Sequence, residues 1–448
     1  MNTRLWLGSL SPLLLALLLS CGGGSSGGSV SISSTHAAGG AGSTSTAAAG
    51  NTTTSAAAGG AVSGNTSAVD SSTTTTASNG EGSGVGSGGT GVSTADAATS
   101  VGAVDGMGSI IVNGLRYNVD NATMNLRDTS DLQMGMSVEV TGPVDASFGN
   151  GVATQVTSSA DLRGPVTAID PVAGSFVVMG TTVTVDDATV WADMPGISSL
   201  VPGTTIQVWG LPASSGVLLA TRVQQQGLPG TTPIATGTVQ QLDSASGTFT
   251  LGTLSVAYGS ASFVGGTSAS TLANGAIVRV RADSQPTPGQ LTATQVEAWY
   301  PIPKTAGTPV QLQGMVTGYT ALGSFQVLGQ PIDASAAQVT GGQASKINNG
   351  VKVQVGGTLV NGVLVATEVK IRHIPGAGAL PSFTLIGSIG NYVSPASFRV
   401  RGQLVDATAP GVVFVNGTSA NLASGVNVTV VGAQVVNDVL IASQITFN

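Results

Sequence analysis

Four aspartates stand at similar places in this chain: Asp120, Asp186 (followed by Asp187), Asp333 and Asp406, each after the third strand pattern of a repeated unit. Carboxylates repeated in this way would do chemistry as one cation site per copy. The competing reading is a turn cap, in which the carboxylate accepts nearby backbone N–H groups. Calcium takes about six to eight oxygens, yet no loop here stacks alternating acids around a glycine, and the matching place in one copy is Ala257. The cap is favoured, and the expected metal content is none. Only two histidines exist, His36 and His373. Neither has the company that a Ser-His-Asp triad or a zinc cluster needs. An acid pair for glycoside hydrolysis is not excluded by counting, but no such pair recurs in a distinct domain with room for a cleft. The expectation is a chain with no catalytic residue and no cofactor.

Aromatic side chains offer a second chemistry, stacking on bases or sugars. Trp191, Trp209, Tyr258, Trp299, Tyr300, Tyr319 and Tyr392 occupy different places in different copies. Phe176, Phe249, Phe325 and Phe398 do recur, among apolar neighbours, and read as core. Trp299-Tyr300-Pro301-Ile302-Pro303 reads as a stiff linker between copies.

The elements that position these residues come from a fivefold internal repeat, which outranks length as a guide to architecture. Gly135, Gly203, Gly275, Gly350 and Gly425 each lead an alternating valine strand. Ala153, Ala220, Ala293, Ala366 and Ala442 follow at intervals of 18, 17, 18, 16 and 17 residues. Upstream of each pair stand a Gly-led opening (Gly102, Gly164, Gly237, Gly314, Gly387), a phenylalanine strand with Ile110 as its first counterpart, and a hairpin glycine (Gly114, Gly180, Gly252, Gly329, Gly402). Asn113-Gly114 is a strong two-residue hairpin signal. The run Val351-Lys352-Val353-Gln354-Val355 has period two, so it should bury one face and wet the other.

Five strands with a longer excursion between the third and fourth predict an all-β chain. The expected form is a tandem array of five small OB-like Greek-key barrels. An open sandwich of the same strands also satisfies the pattern. The excursions 191–201 and 260–273 leave room for one helical turn or a short helix. Modules of this size are marginal alone, so neighbours are expected to touch or share edges.

Only 8% of the residues are charged, and the net charge is −7. That excludes the clustered Lys/Arg surface of a nucleic-acid binder. Arg279/Arg281 and Arg399/Arg401 are local pairs, each expected on one solvated strand face. A single cysteine rules out an intrachain disulfide.

That cysteine has its own setting. Arg4 precedes an apolar run at 13–19, which is too short to span a membrane and ends in Leu18-Leu19-Ser20-Cys21. This resembles the lipobox of bacterial lipoproteins, in which the cysteine thiol carries a diacylglycerol and the leader is cut before it. Residue Gly22, in place of the aspartate that retains lipoproteins at the inner membrane, implies outer-membrane sorting. From 22 to 100 the chain is almost wholly Gly, Ser, Thr and Ala. It is expected to be a disordered tether with a span of about 50 Å.

The ordered set of Gly-x-Val, Phe strand, Gly hairpin, Val-Asp-x-Ala-Thr, Gly-x-x-Val-x-Val and Ala-Thr-x-Val resembles a domain-of-unknown-function repeat. That repeat occurs in tandem in bacterial lipoproteins opening with Cys-Gly-Gly-Gly, as Cys21 to Gly24 do here. A more distant similarity is to the OB-fold haem chaperone of cytochrome c maturation, which needs a tyrosine four residues after its histidine. Ala377 stands there after His373, so the haem role is not carried over. The expected organisation is a leader at 1–20, lipidated Cys21 with its tether at 21–100, and repeats at 101–158, 162–226, 235–300, 310–373 and 383–448. The expected role is a non-catalytic structural or interaction module, lipid-anchored in the bacterial outer membrane, whose partner is an envelope protein or polysaccharide. The alternative is an oligosaccharide-binding component of an envelope uptake or matrix system.

Overall fold

The computed structural model describes residues 97–145, 147–225, 232–287, 289–376 and 383–448. The expected leader, Cys21 and all but the last four residues of the expected tether lie outside the described residues. The first strand is Ala97–Met107, so residues 97–100 are strand and not tether. Among the described residues, regular structure is β-strand throughout, apart from single 3₁₀ turns at Ile197–Ser199, Ala344–Lys346 and Ser419–Asn421. No helix among them is long and apolar enough to cross a membrane.

Repeat two shows the plan. Its opening strand Leu162–Asp170 pairs antiparallel with the phenylalanine strand Ser175–Val178, which pairs with the third strand Thr181–Thr184. The third strand runs parallel to the exit strand Val217–Gln225, the exit strand antiparallel to the valine strand Thr205–Pro212, and the valine strand antiparallel to the opening strand. Followed edge by edge, the pairing returns to its start and closes a ring. The other copies repeat it, with the exit strand broken in two in repeats one and three. A short sixth strand that the sequence pattern did not announce, Val190–Trp191 in repeat two, lies parallel to the far half of each exit strand.

Local chemistry explains the ring. Asn113-Gly114, Met179-Gly180, Leu328-Gly329 and Arg401-Gly402 all have positive φ at both residues, the turn whose twist suits a two-residue hairpin. The glycines leading the valine strands take φ of 81–90°. Each donates its N–H to the opening strand, at Val104, Val166, Val239, Val316 or Ile389, over 2.8–2.9 Å. The same opening-strand residue returns its N–H to the carbonyl just after the glycine. This bracket needs left-handed backbone, which glycine adopts without Cβ strain. Phe176, Phe249, Phe325 and Phe398 are buried in the rings, as expected. In repeat one, Ile110 takes that place and faces Tyr117, so the aromatic bulk has moved to the partner strand.

The expected five separate barrels are corrected: the copies form one continuous β assembly of 32 strands. The cause is a mismatch of lengths. The opening strand of repeat one meets its own second strand only from Val104 onward, which leaves the edge at 97–103 uncovered. Repeat four covers it, with Val310, Gln311 and Leu312 parallel to Thr99, Ser100 and Val101. Gly106 and Met107 then pair with Thr384 and Leu385 of repeat five. Trp191 of repeat two meets Val436 of repeat five, and Arg163 meets Ile234 of repeat three. Uncovered edges invite aggregation, and here the copies cover one another. Repeats two and three also share a single apolar core.

Two glycine substitutions separate backbone strain from this packing. A Cβ on Gly350 meets open space, so Gly350→Ala should cost only the left-handed conformation, about 1–2 kcal/mol. Gly106 is not left-handed, but a Cβ on it would sit 1.9 Å from the carbonyl oxygen of Thr384, so Gly106→Ala should cost about 1–3 kcal/mol by displacing that strand. Urea unfolding of the two variants checks both, and an unchanged stability of Gly106→Ala would contradict the seam between repeats one and five.

Candidate functional site

The four aspartates do not form one repeated site. Asp333 and Asp406 lie in parallel register with Val365 and Ile441, each one residue before an exit alanine. In repeat one that register position is Asn118, in repeat two Thr184 and in repeat three Ala257. Asp120 and Asp186 therefore sit two residues further on. Asp333 accepts the N–H of Ser335 at 3.0 Å, Asp406 that of Thr408 at 2.8 Å, and Asn118 that of Asp120 at 2.8 Å. These are turn caps. Asp186 accepts the N–H of Ala188 at 3.0 Å and an ion pair from Lys352 at 3.2 Å. Among the described residues no three His, Cys, Asp or Glu side chains gather as for a metal ion. His373 ends the exit strand of repeat four, paired in register with Lys352, and His36 lies outside the described residues.

The chain's sparse charge gathers instead at the junctions between repeats. Asp161, in the link from repeat one to repeat two, is 0% exposed. One carboxylate oxygen accepts from Arg279 at 2.8 Å and the indole N–H of Trp299 at 2.6 Å; the other accepts from Ser137 at 2.7 Å and the backbone N–H of Gly210 at 2.8 Å. Four donors from three repeats and their links thus converge on one buried carboxylate. Asp128, held at φ 70°, does the same nearby. It accepts from Arg163 at 2.7 Å, from both terminal nitrogens of Arg281 at 2.9 and 2.6 Å, and from Ser159 at 2.9 Å. Glu297 joins Arg279 to Arg127, at 2.8 Å each. Tyr300 donates to the carbonyl of Ser137 at 2.9 Å, and the Arg279 guanidinium lies 5.1 Å from its ring centre.

A second junction joins repeats one, two, four and five. Lys352 pairs with Asp186, Arg372 with Asp105 at 3.4 Å, and Arg222 with Asp438 at 3.3 Å. Apart from Arg279–Glu297, which lies within repeat three, each of these ion pairs crosses from one repeat or link to another.

Three expectations change here. Arg279 and Arg281 are not on a solvated face but inside the first junction, whereas Arg399 and Arg401 are exposed as expected. Trp299 and Tyr300 are more than a linker, because their polar tips bind the junction. The outer face of the valine strand is exposed at Asn427 in repeat five, while in repeats two, three and four it buries Gln207, Arg279, Lys352 and Gln354 against other copies. The remaining aromatics fill cores: Tyr319 packs 6.1 Å from Phe325, Tyr392 6.2 Å from Phe398 and Tyr258 5.5 Å from Phe249.

A family model described as Domain of unknown function (DUF5666) matches residues 99–157, 163–224, 236–297, 313–370 and 386–446. The chain belongs to this family. No curated protein matches it, and the distant likeness to the haem chaperone finds no support. The DUF5666 spans hold the rings but omit Asp161, Trp299 and Tyr300. The groups that join copies thus lie in part outside the copies.

Asp128 and Asp161 were not anticipated from sequence. Their signal in a charge-poor chain is an acid in a link (Asp161) and one in the excursion before the valine strand of repeat one (Asp128), matched by arginines at places the other copies do not share. Burial opposes ionisation of Asp128, but the hydrogen bonds and charges of Arg281 and Arg163 outweigh it and hold the carboxyl well below its usual range. Burial pushes the Tyr300 phenol up to about 12. Burial also pushes Glu139, opposite Val101 on the outer face of repeat one, up to about 7.

These DUF5666 junctions yield two expectations. Asp161→Ala leaves Arg279 with Glu297 alone of its two carboxylate partners and strips Ser137, Gly210 and Trp299 of their acceptor, which costs about 3–5 kcal/mol. Because three repeats meet there, the loss should appear as one earlier cooperative transition in denaturant, and loss confined to one repeat would contradict the shared junction. Glu139 stays protonated in the folded chain where the unfolded chain ionises, so its destabilising effect grows from about pH 4.5 to about 7 and stays above that. Glu139→Gln should therefore raise stability at pH 8 by at most about 3 kcal/mol and leave it unchanged at pH 4, as read from thermal melts at the two pH values.

Proposed function

We propose that this chain is a non-catalytic structural and interaction module of the bacterial cell envelope, held to the outer membrane by a lipid on Cys21. The observation that carries the reading is the use of charge. Arg127, Arg163, Arg222, Arg279, Arg281, Lys352 and Arg372, half of the chain's 14 basic residues, are paired with acids at the junctions. Asp161 and Asp128, each accepting at least four hydrogen bonds at a buried position, lock copies together and are not poised to exchange protons with a substrate. We read each ring, with strand order one-two-three-five-four, as OB-like, and the fused set as one stiff body. The Gly/Ser/Thr/Ala-rich stretch at 22–96 is its spacer.

The anchor rests on sequence chemistry. Cys21 is the sole thiol, it follows a short apolar run, and Gly22 lacks the charge that would hold the protein at the inner membrane. Two or three acyl chains give stable attachment where one is marginal. Cys21→Ser should move the full-length protein from the membrane to the soluble fraction on cell fractionation. Persistence of the variant in the outer-membrane fraction would defeat the anchoring proposal.

A further inference from the structure

Three adjoining cavities run along the seam between repeats two, three and four. The widest, 510 Å³, opens between the valine-exit hairpin of repeat two at Ser214 and the opening strand of repeat four at Thr317. The next, 290 Å³, shares both of those residues and adds Gly275 of repeat three. The last, 230 Å³, shares Gly275 with the second and ends at Trp299, Tyr300 and Lys304. Shared walls make them one trough, and its widest part is in the size range of small-molecule sites.

We propose that this trough binds a strand of uncharged polysaccharide; the proposal deepens the interaction-module reading and rests on it. Among the described residues the walls carry no carboxylate and one cation, Lys304, which stands at the far end. A phosphorylated or uronic polymer needs clustered cations, and the chain's net charge of −7 repels it. The hydroxyls of Thr184 and Ser214 can both donate and accept, as sugar hydroxyls require; the Thr317 hydroxyl, which donates to Gln326, can still accept, and the Asn349 amide, whose oxygen holds the Tyr319 N–H, can still donate. Gly275, Gly318 and Gly329 line the floor with positive φ and no Cβ, so a sugar ring can approach the backbone. Trp299 and Tyr300 give the junction their polar tips and are almost fully buried. Stacking is therefore not the binding force. Hydrogen bonds spread along a trough make affinity depend on the length of the occupant.

The test titrates detergent-solubilised full-length protein with neutral glucose and N-acetylglucosamine oligomers, from disaccharide to octasaccharide, by calorimetry. The dissociation constant should fall about tenfold or more with length, equal to about 1.4 kcal/mol, and then level off once the trough is filled. Ser214→Trp places an indole in the widest cavity and should abolish binding with the melting temperature unchanged. Thr317→Trp, on the facing wall, serves if Ser214→Trp melts early. Absence of binding at every length, or undiminished binding by both variants, overturns the proposal. If the protein captures an envelope polypeptide while no sugar binds, the polysaccharide assignment fails and the interaction-module reading stands. If it captures nothing from envelope extract and binds no sugar, both fail.

Discussion

A carboxylate shut away from water is tolerable only if the protein supplies every donor that water would have supplied. Asp161 meets that condition with donors from Ser137, Gly210, Arg279 and Trp299. No single copy could provide them. The bonds are formed only when repeats one, two and three stand in one relative orientation, so this group specifies the arrangement as much as it stabilises it. Replacing such a network with apolar side chains often gains stability. What it contributes here is a unique answer to which copy sits against which.

This constraint accounts for the way the five copies diverge. Inside each ring the requirement is the same, and the same residues recur: the left-handed glycine, the exit alanine and, in all rings but the first, the phenylalanine. Outside the ring each copy meets different company. The outward positions of the valine strand become Gln207, Arg279 or Gln354 in copies that are covered, and Thr429 in the copy that stays open. Divergence of polar residues looked like the absence of a shared site. It is equally the mark of one asymmetric assembly built from like parts.

The rings were legible because their determinants are local and repeated. Gly135 to Gly425 mark the bracket, the hairpin glycines mark the turns, and a period of two marks the buried face. More was readable by the same spacing. A glycine seven residues after the bracket glycine, at Gly142, Gly210, Gly357 and Gly432, allows the exit strand to approach closely. An apolar residue three before the bracket, at Leu200, Leu272, Ile347 and Leu422, fills the core. The junctions were not legible, since Asp128 meets Arg281 across 153 residues and nothing in either neighbourhood names the other. Sequence alone assigned Arg279 and Arg281 to solvent because an alternating strand has two faces, and pattern cannot tell water from another copy.

The parallel seam between the first and fourth copies also sets an order in time. Ala103 donates its N–H to the side chain of Gln313, 210 residues away, and the strand beside it waits for the same late partner. A chain made from its N-terminus therefore carries an uncovered, strand-ready border until most of its length has emerged. Contacts so far apart slow folding and prolong exposure to aggregation. For a protein of this build, protection during synthesis and assembly matters more than the resilience of any one ring.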